Sequence, residues 1–103
     1  MRLILKFQSA SCNPCKQLSK VIKDTYIPPE IEIQEVWVDE EPTLAKKHLV
    51  RAVPTCILFE DEIEVKRKTG AMSAVAWQNF VGYYPDEELV DCSAVSAKQL
   101  ESN

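Results

Sequence analysis

The sequence has no apolar run long enough to cross a membrane and no segment of low complexity. A transmembrane helix needs about 18 or more consecutive apolar residues, so we expect no membrane association. The apolar run at residues 3–7 is too short for a secretory signal, and no cleavage site follows it. We therefore expect one small domain in the reducing cytoplasm, where structural disulfides are rare.

The chain also lacks an excess of positive charge. Basic and acidic side chains balance within residues 1–84, and the net charge of −4 comes from residues 85–103. Proteins that bind nucleic acid usually carry a basic patch, so the sequence gives no support to a nucleic-acid partner. We expect residues 85–103 to form an acidic C-terminal tail, which is either solvated or docked as a helix.

A second closely spaced pair of metal ligands is missing as well. The chain has four cysteines and one histidine, but only Cys12 and Cys15 are neighbours in sequence. Structural zinc sites usually show two such pairs, so no metal site is expected. Cys56 lies in an apolar segment and is predicted to be a small buried hydrophobic residue. Cys92 lies in the acidic tail, and the sequence does not decide its role.

The pair that is present, Cys12 and Cys15, stands between a strand-like segment and a helix-like segment. Residues 2–8 are almost continuously apolar, and from residue 13 the apolar residues recur at helical spacing. Pro14 suits the first turn of a helix, where its missing N–H has no cost. Because a helix N-terminus stabilises negative charge, Cys12 is expected to form a reactive thiolate. We predict that Cys12 attacks a disulfide and that Cys15 resolves the resulting mixed disulfide.

The pattern along the chain predicts an α/β fold with elements in the order β-α-β-α-β-β-α. A βαβ start implies parallel strands joined by a right-handed crossover, and a hairpin near residues 60–62 adds an antiparallel pair. The simplest packing is a four-stranded mixed sheet flanked by helices, with Trp37 and Trp77 in the core. The strands are predicted at 2–8, 31–38, 55–59 and 63–68, and the helices at 13 to about 26, from 39–42 onward, and between Ser73 and Gly82.

This element order, with Cys12-Asn13-Pro14-Cys15-Lys16 after the first strand, resembles the thioredoxin family. Two further segments match family motifs: Val53-Pro54-Thr55 before the third strand and Thr69-Gly70-Ala71 before the last helix. The resemblance implies a minimal thioredoxin fold over residues 1–84, with a cis bond before Pro54. It also implies active-site support from Asn13, Pro14 and Pro54, and a substrate groove bordered by Val53, Thr55, Gly70 and Ala71.

Two charged residues within the strands depart from the family pattern. The family has a buried aspartate six residues before the first cysteine and a lysine on the neighbouring strand, and the corresponding residues here are Lys6 and Glu35. A charge in an apolar strand is costly unless it is paired, so we expect the two side chains to lie near each other. Glu35 could accept the proton of Cys15, Lys6 could stabilise a thiolate, or the two could form a solvent-facing structural pair.

The resemblance implies a protein-disulfide reductase that uses its Cys12–Cys15 disulfide and needs no cofactor. Its electrons would come from a thioredoxin reductase or from glutathione, and we expect a monomer; a virus-encoded member of the family would fit so short a chain. One alternative is a glutaredoxin, although Ala71-Met72-Ser73 provides no acidic partner for the glutathione amine. The other is a thioredoxin-like binding module, which would keep its partner after both cysteines were changed to serine.

Overall fold

The strand β1, Arg2–Gln8, is an inner strand of a four-stranded sheet, as its nearly continuous apolar sequence predicts. The computed structural model describes residues 1–82; the predicted tail 85–103, with Cys92, lies outside the described residues. The sheet order is β2-β1-β3-β4, with β2 at Ile31–Trp37, β3 at Thr55–Glu60 and β4 at Ile63–Thr69. β1 and β2 are parallel, whereas β1–β3 and β3–β4 are antiparallel. The predicted mixed sheet is therefore confirmed.

Three helices complete residues 1–82: α1 at Asn13–Asp24, α2 at Pro42–Lys47 and α3 at Ala74–Val81. Each corresponds to a predicted helix. Helix α1 ends just before its predicted end because Thr25 is extended and its hydroxyl donates to the carbonyl of Val21 at 2.9 Å. None of these helices is long and apolar enough to cross a membrane.

Helix α3 has the predicted signals at both ends. The hydroxyl of Ser73 accepts the backbone N–H of Ala76 at 3.1 Å, which satisfies one of the free donors of the first turn. Gly82 follows the last turn with a left-handed backbone, a conformation that glycine adopts without steric cost. Ser73 and Gly82 therefore correctly predicted where α3 begins and ends.

Apolar side chains cover both faces of the sheet, and alternate residues of β1 and β3 contribute to opposite faces because strands are pleated. Helix α2 covers one face, where the buried cluster is Leu5, Phe7, Val36, Ala45 and Ile57. Helices α1 and α3 cover the other, where it is Ile4, Leu18, Ile31, Cys56, Leu58, Met72, Trp77, Phe80 and Val81.

The two tryptophans have different environments. Trp77 is fully buried, as predicted, whereas 38% of the surface of Trp37 is exposed. The prediction that Trp37 belongs to the core is therefore wrong. Trp37 is the last residue of β2, which is an edge strand of the sheet, so it lacks neighbours that an inner strand would have.

Candidate active site around Cys12 and Cys15

The predicted site residues lie at one end of the sheet, where several strands begin or end. Thr55 pairs with Phe7 near the end of β1 and with Thr69 at the end of β4. The segments that follow β1, precede β3 and follow β4 therefore end up next to one another. Those segments are 9–12, 53–54 and 70–71, and segment 9–12 leads directly into the first turn of α1, which contains Cys15. The fold therefore brings both cysteines, the proline motif and the glycine turn to one end of the molecule.

Cys12 and Cys15 form a disulfide across the first turn of α1, with their Cα atoms 5.2 Å apart. Cys12 is the N-cap residue, and its Sγ accepts the backbone N–H of Cys15 at 3.1 Å. Asn13 and Pro14 are exposed in the same turn. Cys12 is half-buried, whereas Cys15 is only 2% exposed. Cys12 is therefore the more accessible of the two residues.

The segment at Pro54 is fixed by hydrogen bonds to the neighbouring strand. The Val53–Pro54 peptide bond is cis, and the carbonyl of Pro54 accepts the N–H of Gly70 at 2.8 Å. Gly70 has a φ of 103°, in the left-handed region that favours glycine. The Thr55 hydroxyl donates to the carbonyl of Ala52 at 2.7 Å and lies 3.1 Å from the Thr69 hydroxyl. Pro54 and Thr55 are buried, while Val53 and Gly70 are partly accessible and Ala71 is exposed.

Lys6 is almost completely buried, with 1% of its surface exposed. Its ammonium donates to Gln8 Oε1 and to the Ser19 hydroxyl of α1, the latter at 2.6 Å. These partners supply the hydrogen bonds that a buried cation needs. Burial lowers the pKa of Lys6 from its ordinary value of 10.5. The negative charge of Glu35 opposes that change, as does that of Cys56 when its thiol is ionised.

Glu35 is the register partner of Lys6 in the parallel ladder of β1 and β2. It is exposed, and no ion pair within 4.0 Å joins it to Lys6. The expectation of proximity is confirmed to the extent that, against the lowering by burial, the charge of Glu35 raises the pKa of Lys6. The two side chains form no ion pair, however, and a solvent-facing pair is wrong because Lys6 is buried. Glu35 instead lines a small pocket of about 110 Å³ behind the disulfide, together with Gln8, Ser9, Ala10, Cys15, Lys16, Ser19 and Trp37.

Three members of this site were missed by the sequence analysis: Gln8, Ser19 and Trp37. Gln8 is a polar residue at the end of an apolar strand, two positions from Lys6 and hence on the same face. Ser19 follows Cys15 by four positions and so lies on the same side of α1. The sequence spacings from Lys6 to Gln8 and from Cys15 to Ser19 could have identified these two residues as neighbours of a buried lysine in β1.

Cys56 lies opposite Lys6 in the ladder of β1 and β3 and is fully buried. Burial raises the pKa of its thiol to about 12, although the charge of Lys6 opposes this. The thiol is therefore neutral at physiological pH, and the prediction of a buried hydrophobic residue is confirmed. Within residues 1–82, no group of three or more His, Cys, Asp or Glu side chains could hold a metal ion.

Comparison with known proteins agrees with this geometry. The thioredoxin family model matches residues 1–82. The thioredoxin of Buchnera aphidicola subsp. Baizongia pistaciae is 31% identical over 86 residues, covering 80% of this chain and 77% of that one. The SPbeta prophage-derived thioredoxin-like protein of Bacillus subtilis is 38% identical over 71 residues, covering 68% and 82%.

Solved structures of the family superimpose on the chain. Fasciola hepatica thioredoxin matches with a TM-score of 0.68 at 27% identity, covering 78% of this chain and 77% of that one. Oxidised mitochondrial thioredoxin 3 from Saccharomyces cerevisiae matches with a TM-score of 0.64 at 30% identity, covering 78% and 76%. With a disulfide between cysteines spaced as in a CxxC motif, the chain belongs to the thioredoxin family and is a thiol–disulfide oxidoreductase.

Proposed function

We propose that the protein reduces disulfides in other proteins, with Cys12 as the attacking thiol and Cys15 as the resolving thiol. The observation that supports this order best is the difference in exposure, because Cys12 is accessible and Cys15 is buried. A glutaredoxin or a binding module is not favoured, since the matching relatives are thioredoxins.

The reaction has two exchange steps. The Cys12 thiolate attacks one sulfur of the substrate disulfide, and the other substrate sulfur leaves as a thiolate. Cys15 loses its proton and attacks Cys12 Sγ, which releases the second substrate thiol and forms the Cys12–Cys15 disulfide. Two electrons have then passed to the substrate, and an external donor must return two electrons before the next cycle.

The first turn of α1 favours the first step. When Cys12 is reduced, the helix N-terminus and the N–H of Cys15 face its sulfur and stabilise the thiolate over the thiol. Asn13 and Pro14 support this arrangement: both belong to the first turn, and Pro14 occupies a position whose N–H would have no helical partner.

The substrate backbone would bind along the segment before Pro54. Val53 is partly accessible beside the disulfide edge, and its backbone groups can pair with an extended segment of the substrate. Thr55 and Gly70 hold this segment in place through the hydrogen bonds described above. Ala71, which is exposed next to Gly70, would form the far border of the groove.

Glu35 is the group best placed to take the proton of Cys15. The carboxylate and Cys15 line the same pocket of about 110 Å³, which has room for a water molecule between them. Lys6 would act as a fixed cation behind Cys15, held by Gln8 and Ser19. In this arrangement the ammonium favours the Cys15 thiolate and the carboxylate removes the proton.

The remaining assignments follow the family pattern. We place the end of the redox domain near residue 84, with 85–103 as a separate tail. The protein would work as a monomer in a reducing compartment such as the cytoplasm, with no bound cofactor. Its electrons would come from a thioredoxin reductase or from glutathione.

Insulin reduction tests the proposal. With dithiothreitol as the electron donor, the wild-type protein should accelerate precipitation of the insulin chains, and Cys12→Ser should abolish the acceleration. Cys56→Ala is the matched cysteine control and should retain the wild-type rate. If the wild type has no activity above dithiothreitol alone, the protein does not act on this class of substrate.

A further inference from the structure

Trp37 is a large aromatic residue that the fold leaves partly exposed beside the disulfide. In this family member 38% of the surface of Trp37 is exposed, at the end of an edge strand. Aromatic residues are enriched in the surfaces through which proteins bind one another. The position of this ring relative to the disulfide indicates which partner would bind it.

Trp37 lies at the same end of the sheet as the disulfide, the end at which β1 leads into the loop that carries Cys12. Its register partner is Gln8, the last residue of β1 before the loop that carries Cys12. Trp37 lines the pocket behind the disulfide together with Cys15 and Lys16 of α1. Because Trp37 and Cys15 line the same pocket, a protein that brings a disulfide to Cys12 would come close to Trp37.

The backbone of Trp37 is fixed. Its carbonyl accepts the N–H groups of Glu40 and Glu41, both at 2.9 Å. The next residue, Val38, donates its N–H to the carbonyl of Gln8 at 2.9 Å. A partner that covers the ring therefore does not have to order the backbone that carries it, which lowers the entropic cost of binding.

The disulfide therefore lies between two accessible segments. In the sheet order β2-β1-β3-β4, Val53 precedes β3 on one side of β1, and Trp37 ends β2 on the other. We infer that Trp37 determines substrate specificity: an apolar side chain of the substrate protein, close to its disulfide, packs on the indole ring. This inference rests on the proposed reduction of protein disulfides.

Single-turnover oxidation distinguishes substrate binding from the chemistry at sulfur. The reduced protein is mixed with excess insulin or with excess cystine, a small disulfide that carries no protein surface around it. The remaining thiols are alkylated at timed intervals and counted by mass. Variants Trp37→Ala and Trp37→Phe are compared with the wild type, and Ile63→Ala is the control because it removes an apolar side chain 67% exposed at the opposite end of the sheet.

We expect Trp37→Ala to react with insulin about fivefold to tenfold more slowly below saturation, as for truncation of an aromatic interface residue. The rate at saturating insulin and the rate with cystine should change far less, and Trp37→Phe should recover most of the loss. Ile63→Ala should match the wild type with both substrates.

Two results would overturn the inference while leaving the proposed function intact: an unchanged insulin rate in Trp37→Ala, or an equal loss with insulin and cystine. An equal loss with both substrates would mean that the ring maintains the structure around Cys12 and Cys15 and does not bind the substrate protein. A wild-type protein that is oxidised by cystine and not by insulin would instead contradict the proposed function, and the inference with it.

Discussion

Lys6 and Glu35 are register partners in β1 and β2, yet the ammonium of Lys6 bonds to Gln8 and Ser19 and not to the carboxylate. One charge is buried and the other is exposed beside the pocket behind Cys15. Burial lowers the pKa of Lys6 and the charge of Glu35 raises it, but the two side chains have different surroundings, so separate substitutions can distinguish their roles.

The buried ammonium of Lys6 should make stability depend on pH. Burial lowers its folded-state pKa below the ordinary 10.5 of the unfolded chain. At a pH between the folded-state pKa and the unfolded-state pKa, Lys6 is protonated in the unfolded chain and neutral in the folded one. Stability from this group then rises with pH through that interval, because the cost of burying the charge disappears. The free energy of unfolding of the wild type relative to Lys6→Met should therefore increase from neutral pH towards pH 10.5.

Urea titrations at a series of pH values measure this difference. Both proteins should carry Cys56→Ala, because the thiol of Cys56 faces Lys6 and titrates in the alkaline range. A difference that stays constant or falls as the pH rises would contradict a depressed pKa for Lys6.

Replacing Glu35 by glutamine should slow the second exchange step. A labelled thiol is attached to Cys12 as a mixed disulfide, and its release by Cys15 is followed by stopped flow. Loss of a general base typically lowers a rate by a factor of about 100 or more, and a tenfold slowing would already support the role. Glu32→Gln is the matched control, since Glu32 is an exposed residue on the same strand. Equal rates in both variants would exclude Glu35 as the proton acceptor.

Gly70→Ala should destabilise the protein through its backbone alone. The φ of Gly70 is 103°, and an added Cβ would meet no atom within 4 Å. Such a conformation costs a residue with a side chain about 1–3 kcal/mol, so urea unfolding should show a loss of that size. Ser11→Ala, at an exposed position, should leave the midpoint unchanged. A Gly70→Ala protein as stable as the wild type would show that the turn relaxes to an ordinary φ.

The thiol of Cys56 should be inert in the folded protein. Its pKa is raised to about 12 and its side chain is fully buried, so neither thiolate nor access is available to an alkylating reagent at pH 8. In reduced protein carrying Cys92→Ser, peptide mass analysis should find iodoacetamide label on Cys12 first and on Cys56 only after addition of urea. Early label on Cys56 in the folded protein would contradict its burial.

Much of the fold could be predicted because its signals are local. The continuous apolar run of β1, the Ser73 and Gly82 signals of α3 and the spacing of Cys12 and Cys15 each depend on a few adjacent residues. The family resemblance then indicated which loops would meet at the disulfide.

The errors concern contacts between elements. The charges of Lys6 and Glu35 favoured a cross-strand pair, but Ser19 of the overlying helix provides a nearer partner for the ammonium. A tryptophan in an apolar strand is expected in the core. Trp37 is exposed because β2 is an edge strand of the sheet. Neither the helix above Lys6 nor the order of strands is encoded in the neighbouring sequence.

Trapping the mixed disulfide tests the central claim, the order in which the two cysteines act. Reduced Cys15→Ser and Cys12→Ser variants are each incubated with oxidised insulin, and covalent adducts are identified by intact mass and peptide mapping. Both variants carry Cys92→Ser, so that Cys56 is the one other thiol. We expect Cys15→Ser to accumulate an adduct on Cys12, and Cys12→Ser to form none. An adduct on Cys15 in Cys12→Ser that forms as fast as the first would contradict the assignment.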